Sequence, residues 1–396
     1  MLIPLVNSSA PHFDTGPRSI RAVKVLRISV TDRCNFRCVY CMPETGVTWL
    51  PRDELLSFEE IGDIARAAAE LHGITRFKLT GGEPTVRAGL TDLIALLRRR
   101  VPTMADLSLT TNGFCLETLA TPLHEAGLDR VTVSVDSLNA ERFKRVTRTG
   151  DLPTVLRGLD RAIDAGFRSV KINCVAMRGT NDDEFAAFAK LAIDRPVTVR
   201  FIEYMPLGDS ALLAQGNPFV QVTTKHGTHF ESGPAHGSTP VLSEVKGRIA
   251  SDEQGPSGGC GAQDRGDVFV PEQDIRAAIE REHGPLAPVD RNTEAGVGPA
   301  VPYEFVRHPN ALGRVAFISA MSAPFCATCN RLRLTATGIL RSCLFDGGEV
   351  DLKPIVRTNA SAGRDVRIAH AMERCVAQKP EVHGVRGTEQ MSRIGG

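Results

Sequence analysis

Three cysteines, Cys34, Cys38 and Cys41, fall at C-x3-C-x2-C spacing directly after a strand-like run. Thiolates spaced this way on one tight loop can all point at a single metal centre. A structural zinc takes four ligands, and a cubane iron–sulfur cluster normally takes four cysteines. Three leave one position open to something that is not protein, and an open iron is where chemistry can occur. Spacing alone also leaves an incomplete zinc knuckle open. A second set, Cys326, Cys329 and Cys343, has C-x2-C-x13-C spacing and again lacks a fourth thiol. Zinc completed by His308 is the simpler rival there. Two separate three-cysteine sets are harder to explain by structural zinc than by two open clusters. Cys115, Cys174, Cys260 and Cys375 read as buried small residues or bystanders.

Basic residues recur inside strand-like runs: Arg27, Lys78, Lys171 and Arg200. Charges seldom sit in a buried parallel strand without a partner. Turned toward a barrel interior they need anions, and a triphosphate supplies about that many negative charges. Surface salt bridges are the plain alternative for any one of them. Just after the second cysteine pair, strand alternation puts Arg331 and Arg333 on one face, a pair suited to bidentate phosphate recognition. Two solvated arginines are the alternative there. The stretch Thr80-Gly81-Gly82-Glu83-Pro84 ends a strand, where glycines let backbone approach a ligand. Ser134 and Asp136 end another strand.

These side chains need a scaffold, and one is legible. Val25–Val30, Arg76–Leu79, Leu107–Thr110, Val131–Val135, Val170–Val175 and Val197–Ile202 read as strands. Helical stretches lie between them at Phe58–Leu71, Leu90–Arg100, Leu116–Ala126, on to Ala165, and at Asp183–Ile193. Ser57 with Glu60 fits a capping box on the first. Alternation of this kind argues for an α/β fold with a parallel sheet that could curl into a partial barrel. In barrel enzymes chemistry gathers at the C-terminal strand ends, where most of the residues above fall. Four segments follow: a lead-in over 1–22, the partial barrel over 23–208, an unpatterned insertion over 209–268, and a C-terminal domain over 269–396. The insertion carries His226, His229, His236 and Cys260, too irregularly spaced to predict a third metal site. In the last segment Glu272–Glu282 reads as a helix and Tyr303–Val306 and Val315–Ile318 as strands. Arg331–Thr335 and Ile339–Leu344 read as a hairpin, and Val366–Cys375 as a final helix.

The chain has 396 residues, 42% hydrophobic and 23% charged, with a formal net charge of +1. That balance is ordinary for a globular protein and gives no reason to expect a polyanion partner, so a basic site must be local. One Trp and three Tyr offer little platform for stacking nucleic-acid bases. No apolar run is long enough to span a bilayer, and the N-terminus reads as neither a signal nor a transit peptide. Cysteines in that setting point to metal and a reducing, cytoplasmic compartment rather than to disulfides.

The first triad, with Tyr40 before its last cysteine, resembles the radical S-adenosylmethionine (SAM) superfamily. The string from Arg27 to Pro43 resembles one branch of it, the molybdenum cofactor biosynthesis protein A family of GTP 3',8-cyclases. The resemblance implies an incomplete (βα)6 barrel with a C-terminal domain carrying a second iron–sulfur cluster. It implies two [4Fe-4S] clusters, one on Cys34, Cys38 and Cys41, and one on Cys326, Cys329 and Cys343. It places SAM against Tyr40, Gly82, Ser134 and Met205. GTP contacts map onto Arg27, Lys78, Thr110, Lys171, Arg331, Leu332 and Arg333, with Asn112 and Arg200 as further members. The terminal Gly395 and Gly396 correspond to a tail that enters the site and, with Arg27, serves catalysis. The implied reaction cleaves SAM to a 5'-deoxyadenosyl radical, which removes the 3' hydrogen of GTP so that C3' attacks C8. The implied partners are a flavodoxin or ferredoxin reductant and a downstream cyclic pyranopterin monophosphate synthase. Neither nucleic acid nor membrane is implied, and a homodimer is left open. A peptide-modifying relative or a zinc-bearing scaffold are the rival readings.

Overall fold

The computed structural model describes residues 13–208, 268–290, 296, 298–345, 347–358, 362–384, 387 and 391–394. The 209–268 insertion, except Val268, and the Gly395-Gly396 ending lie outside the described residues.

The barrel strands are β1 (Val25–Ser29), β2 (Arg76–Thr80), β3 (Asp106–Thr111), β4 (Arg130–Ser134), β5 (Ser169–Ala176) and β6 (Val197–Glu203). Helices α1 (Phe58–His72), α2 (Leu90–Arg100), α3 (Leu116–Glu125), α4 (Ala140–Thr147), α5 (Leu152–Asp164) and α6 (Phe185–Asp194) connect them. The capping box on α1 forms in both directions between Ser57 and Glu60. Each strand pairs in parallel with the next, as βαβ units require. The alternation is clean. In β1, Leu26 and Ile28 are buried in the core that the helices cover, and Arg27 lies on the opposite face. We call that second face the lumen.

The C-terminal segment does not form a sheet of its own. It contributes α7 (Glu272–His283), β7 (Leu286–Pro288), β8 (Val301–Phe305), β9 (Arg314–Ile318), β10 (Arg331–Leu334), β11 (Ile339–Arg341) and β12 (Glu349–Asp351). Helices α8 (Lys353–Val356), α9 (Arg364–Ala377) and α10 (Met391–Ile394) follow. The sheet order is β12-β11-β10-β1-β2-β3-β4-β5-β6-β9-β8-β7. Thus β10 lies parallel on the free edge of β1, and β9 parallel on the free edge of β6. Both open edges of the six-strand unit, each a row of unpaired N–H and C=O groups, are covered by the same downstream chain. The short β7, β12 and α8 carry too few residues for a period and were not legible in sequence. Strand β8 starts two residues earlier than expected, at Val301, and its Pro302 pairs with Ala316 of β9.

Candidate active site

The loop after β1 is held by the ends of β2 and β3. Gly82 N–H donates to the Thr31 carbonyl at 2.8 Å, and Glu83 N–H to that of Arg33 at 2.7 Å. A Cβ at Gly82 would overlap the carbonyl oxygens of Arg33 and Asp32. The backbone that these glycines admit is therefore that of the cysteine loop itself. Glu83 is buried, and its carboxylate accepts from Thr85 N and Oγ1, Thr111 Oγ1 and Asn112 N. Those bonds lower its pKa, but burial outweighs them and raises it. Asn112 then reaches the loop, donating to Asn35 Oδ1 at 2.7 Å.

On the other side of the loop the Tyr40 hydroxyl donates to Asp136 Oδ2 at 2.7 Å, and Val175 N–H donates to Asp136 Oδ1 at 2.9 Å. Burial pushes the Asp136 carboxyl up to about 6 against the pull of both donors. The folded chain thus keeps this proton where the unfolded chain has released it. The contribution of Asp136 to stability is fully present below its unfolded pKa of about 4 and shrinks as pH rises to about 6. The unfolding free energy of cluster-free wild type minus that of Asp136→Asn should fall across that window in urea titrations. A flat difference would contradict the burial assigned to this carboxyl.

Burial pushes the Cys34 thiol up to about 11, with the Glu83 charge adding to it. Cys38 is raised by burial and then by Cys41, Asp136 and Cys34. Burial therefore favours the neutral thiol at Cys34 and Cys38, and a cationic metal centre is what would convert them to thiolates. Among the described residues no three His, Cys, Asp or Glu side chains are gathered as the ligands of one metal ion would be. The sulfurs around a cubane cluster each bind a different iron and need not converge in that way.

The second triad has a different electrostatic setting. Cys326 and Cys329 flank a single turn in the β9–β10 connection, and Cys343 follows β11. Burial would raise Cys329, but the charges of Arg331 and Lys379 outweigh it and leave its pKa lowered. Arg331 Nη2 lies 3.8 Å from Cys329 Sγ, and its guanidinium lies 4.9 Å from the Phe325 ring centroid. The buried Lys379 Nζ donates to the carbonyls of Cys329 and Arg331, each at 3.2 Å. His308 is not part of this group: it stands edge-on to His283 and Phe305 beyond β8.

The lumen lies along the strands that carry these loops. Arg27 is level with Lys78 on one side and Arg333 on the other. Lys78 Nζ and Arg200 Nη2 both donate to Thr132 Oγ1, at 3.4 and 3.1 Å. Burial, then Arg333, Arg331 and Arg200, pulls the Arg27 guanidinium well below its ordinary value. Burial, then Arg200, Arg27, Arg130 and Lys171, does the same to Lys78. Arg333 is pulled down to about 9, first by burial and then by Arg331. Thr110 Oγ1 and Asn173 Oδ1 are buried atoms without a hydrogen-bond partner. Crowded cations beside orphaned neutral acceptors suit an anionic, hydroxyl-bearing ligand.

Most of the basic residues singled out in sequence fall on this surface, with two differences among the other site residues. Leu332 is fully buried on the core face, opposite Arg331 and Arg333, so its side chain does not face the lumen. Met205 packs against Leu207, Met321 and Phe345, the cluster against which Cys343 and Met391 also pack. Ser134 ends β4 level with Asn173. Gly387 pairs with Leu207, holding the tail to the chain after β6. Sequence reading missed Thr132, which strand alternation could have placed inward, and Lys379, a lone lysine after a helix that carried no signal. It also missed Glu203, a buried carboxylate at the end of β6. This group accepts from Glu272 N, Met321 N and Ser322 N and so fixes the start of the loop to Cys326.

Residues 28–192 match the family described as Radical SAM superfamily, and residues 253–385 match Molybdenum Cofactor Synthesis C. A GTP 3',8-cyclase of Pelotomaculum thermopropionicum is 42% identical over 380 residues, 95% of this chain and 98% of its own. That of Moorella thermoacetica is 38% identical over 381 residues, with the same coverage of each chain. Among solved structures the hydrogenase maturase HydG of Carboxydothermus hydrogenoformans aligns over 49% of each chain, at 20% identity and a TM-score of 0.38.

Proposed function

Because this chain belongs to the GTP 3',8-cyclase family of radical SAM enzymes, we propose that its lumen binds GTP between the two cysteine triads. The reaction is the conversion of GTP to (8S)-3',8-cyclo-7,8-dihydroguanosine 5'-triphosphate, the first step of molybdenum cofactor biosynthesis. Cys34, Cys38 and Cys41 would hold the [4Fe-4S] cluster that the radical SAM family requires, and their place together on one partly buried loop fits that role. Once bound, the cluster and SAM supply the 5'-deoxyadenosyl radical that opens the reaction. Tyr40, Gly82, Ser134 and Met205 are assigned to the SAM side.

The triphosphate goes to Arg27, Lys78, Lys171, Arg331 and Arg333, with Arg200 beside them. The observation that carries this is that Arg27, Lys78 and Arg333 stand level on adjacent strands of the lumen, each pulled down first by burial and then by neighbouring cations, which a polyanion would relieve. Thr110, and Leu332 through its backbone alone, complete the GTP set. Cys326, Cys329 and Cys343 are proposed to hold a second [4Fe-4S] cluster at the guanine end. Gly395 and Gly396 are proposed to reach the site from a tail anchored at Gly387. A flavodoxin or ferredoxin would supply electrons, and a cyclic pyranopterin monophosphate synthase would consume the product. We place the enzyme in the cytoplasm. Among the described residues no helix is long and apolar enough to cross a membrane.

The test is an anaerobic assay of reconstituted protein with SAM, reductant and GTP, read by mass spectrometry of the nucleotide. The cyclised triphosphate should appear only when all three are present. SAM cleavage that ignores GTP and yields no cyclised nucleotide would overturn the reading. Iron analysis separates the two triads: about eight irons per chain fit two cubane clusters, and about four fit one.

A further inference from the structure

Among the described residues Arg148 is the one residue other than glycine with a positive φ, at 62° with ψ −42°. It stands directly after α4, where Thr149 N–H donates back to the Thr147 carbonyl at 2.8 Å. Together these make a three-residue γ turn of the rare, strained hand. A helix that needs only to stop commonly does so with glycine or asparagine in the left-handed region. Strain at a residue with a Cβ persists only where its surroundings impose it, and such residues cluster at functional sites.

The turn aims the Arg148 side chain at the first cysteine loop. Its Nη1 donates to the carbonyls of Arg37 and Met42, each at 3.1 Å. Those two residues bracket Cys38 and Cys41. The same corner makes three further contacts with the loop. Arg37 N–H donates to Thr147 O and Val39 N–H to Val146 O, both at 3.0 Å, and Thr149 Oγ1 donates to Asn35 O at 2.7 Å. Gly150 lies so close that an added Cβ would stand 3.0 Å from the Phe36 ring. The loop is thus gripped from the Gly82–Glu83 side and from this corner. Arg148 is the contact that spans both ends of its two-cysteine segment.

We propose that Arg148 is a positioning residue for the first cluster: its strained turn directs a one-to-two clamp that holds Cys38 and Cys41 ready to bind iron. This rests on the reading that Cys34, Cys38 and Cys41 carry the SAM-binding [4Fe-4S] cluster. Backbone preference and clamp make opposite demands at this position, so one substitution separates them. Glycine suits the backbone at φ 62° but has no side chain to clamp with.

The experiment compares wild type, Arg148→Gly and Arg148→Lys, each reconstituted under anaerobic conditions. The electron paramagnetic resonance signal that SAM perturbs is followed while a ferrous chelator removes iron. In Arg148→Gly that signal should decay roughly tenfold to a hundredfold faster than in wild type, the range for loss of a partner that orients metal ligands. The signal SAM does not perturb should decay at the wild-type rate, and the KM for GTP should hold. The melting temperature of the cluster-free Arg148→Gly chain should match or exceed wild type. Arg148→Lys, which keeps a donor on a shorter side chain, should fall between. Equal decay rates in wild type and Arg148→Gly would overturn the proposal. So would a drop in the melting temperature of the cluster-free chain, because that would make Arg148 a general structural contact. Wild-type protein with no SAM-responsive signal would instead overturn the cluster reading beneath it.

Discussion

Cys38→Ser should leave the chain folded but unable to cleave SAM, with or without GTP. The substitution changes one atom in a side chain packed at the margin of both the main core and the Val39–Tyr40 cluster. Cavity and strain costs are therefore small. The chemistry fails because burial and the neighbouring Cys41 and Asp136 already disfavour an anion at this position. A thiol can still be ionised there by a bound cationic metal, whereas a serine hydroxyl, a far weaker acid, cannot follow it. Reconstituted variant should lose about four irons per chain and form no 5'-deoxyadenosine by chromatography. Wild-type iron content with retained SAM cleavage would remove Cys38 from the site. The matching Cys329→Ser variant should lose the other cluster and keep SAM cleavage, which gives each triad its own readout.

Arg333→Gln should separate SAM chemistry from GTP chemistry. Arg333 is 3% exposed and is pulled down to about 9 by burial and by Arg331. It still carries its charge at neutral pH, at a cost to the folded state. Removing that charge should leave the melting temperature of the free protein unchanged or higher. Binding should move the other way. Loss of charge-assisted bonds to a phosphate costs about 3 kcal/mol, or about a hundredfold in kcat/KM for GTP. Calorimetry of GTP binding and steady-state formation of the cyclised nucleotide check the two halves. A weaker fold with unchanged GTP affinity would mean that Arg333 serves the sheet rather than the substrate. The same logic extends to Arg27 and Lys78, but their effects should not add, because each removal relieves the repulsion felt by the others.

Much of this site could be read along the chain, for reasons that lie in short-range geometry. Strand alternation has a period of two, so placing Leu26 and Ile28 in the core also placed Arg27 on the other face. The same rule located Lys78, Lys171, Arg200, Arg331 and Arg333. It assigned the Leu332 side chain correctly only when applied to that residue as strictly as to its neighbours. The cysteine spacings were legible because ligands on one loop are local by construction. Ser57 and Glu60 marked the start of α1 because a capping box spans four consecutive residues.

Other features depend on pairs far apart in the chain, and no local pattern encodes them. Sequence alone determined the strands and helices of the six-unit barrel, the faces they present, and the two cysteine triads. Only the tertiary structure decided that β9 and β10 cap opposite edges of the same sheet, so that the Cys326–Cys329 loop belongs to the barrel. Only it decided that Glu203 fixes the start of that loop, that Lys379 reaches the Cys329 carbonyl, and that Arg148 spans the segment holding Cys38 and Cys41. Backbone hydrogen-bonding groups at a sheet edge are alike in every strand. A charged side chain is drawn to whichever carbonyl the fold brings near. Periodicity can therefore say which way a residue points, but not what it will meet there.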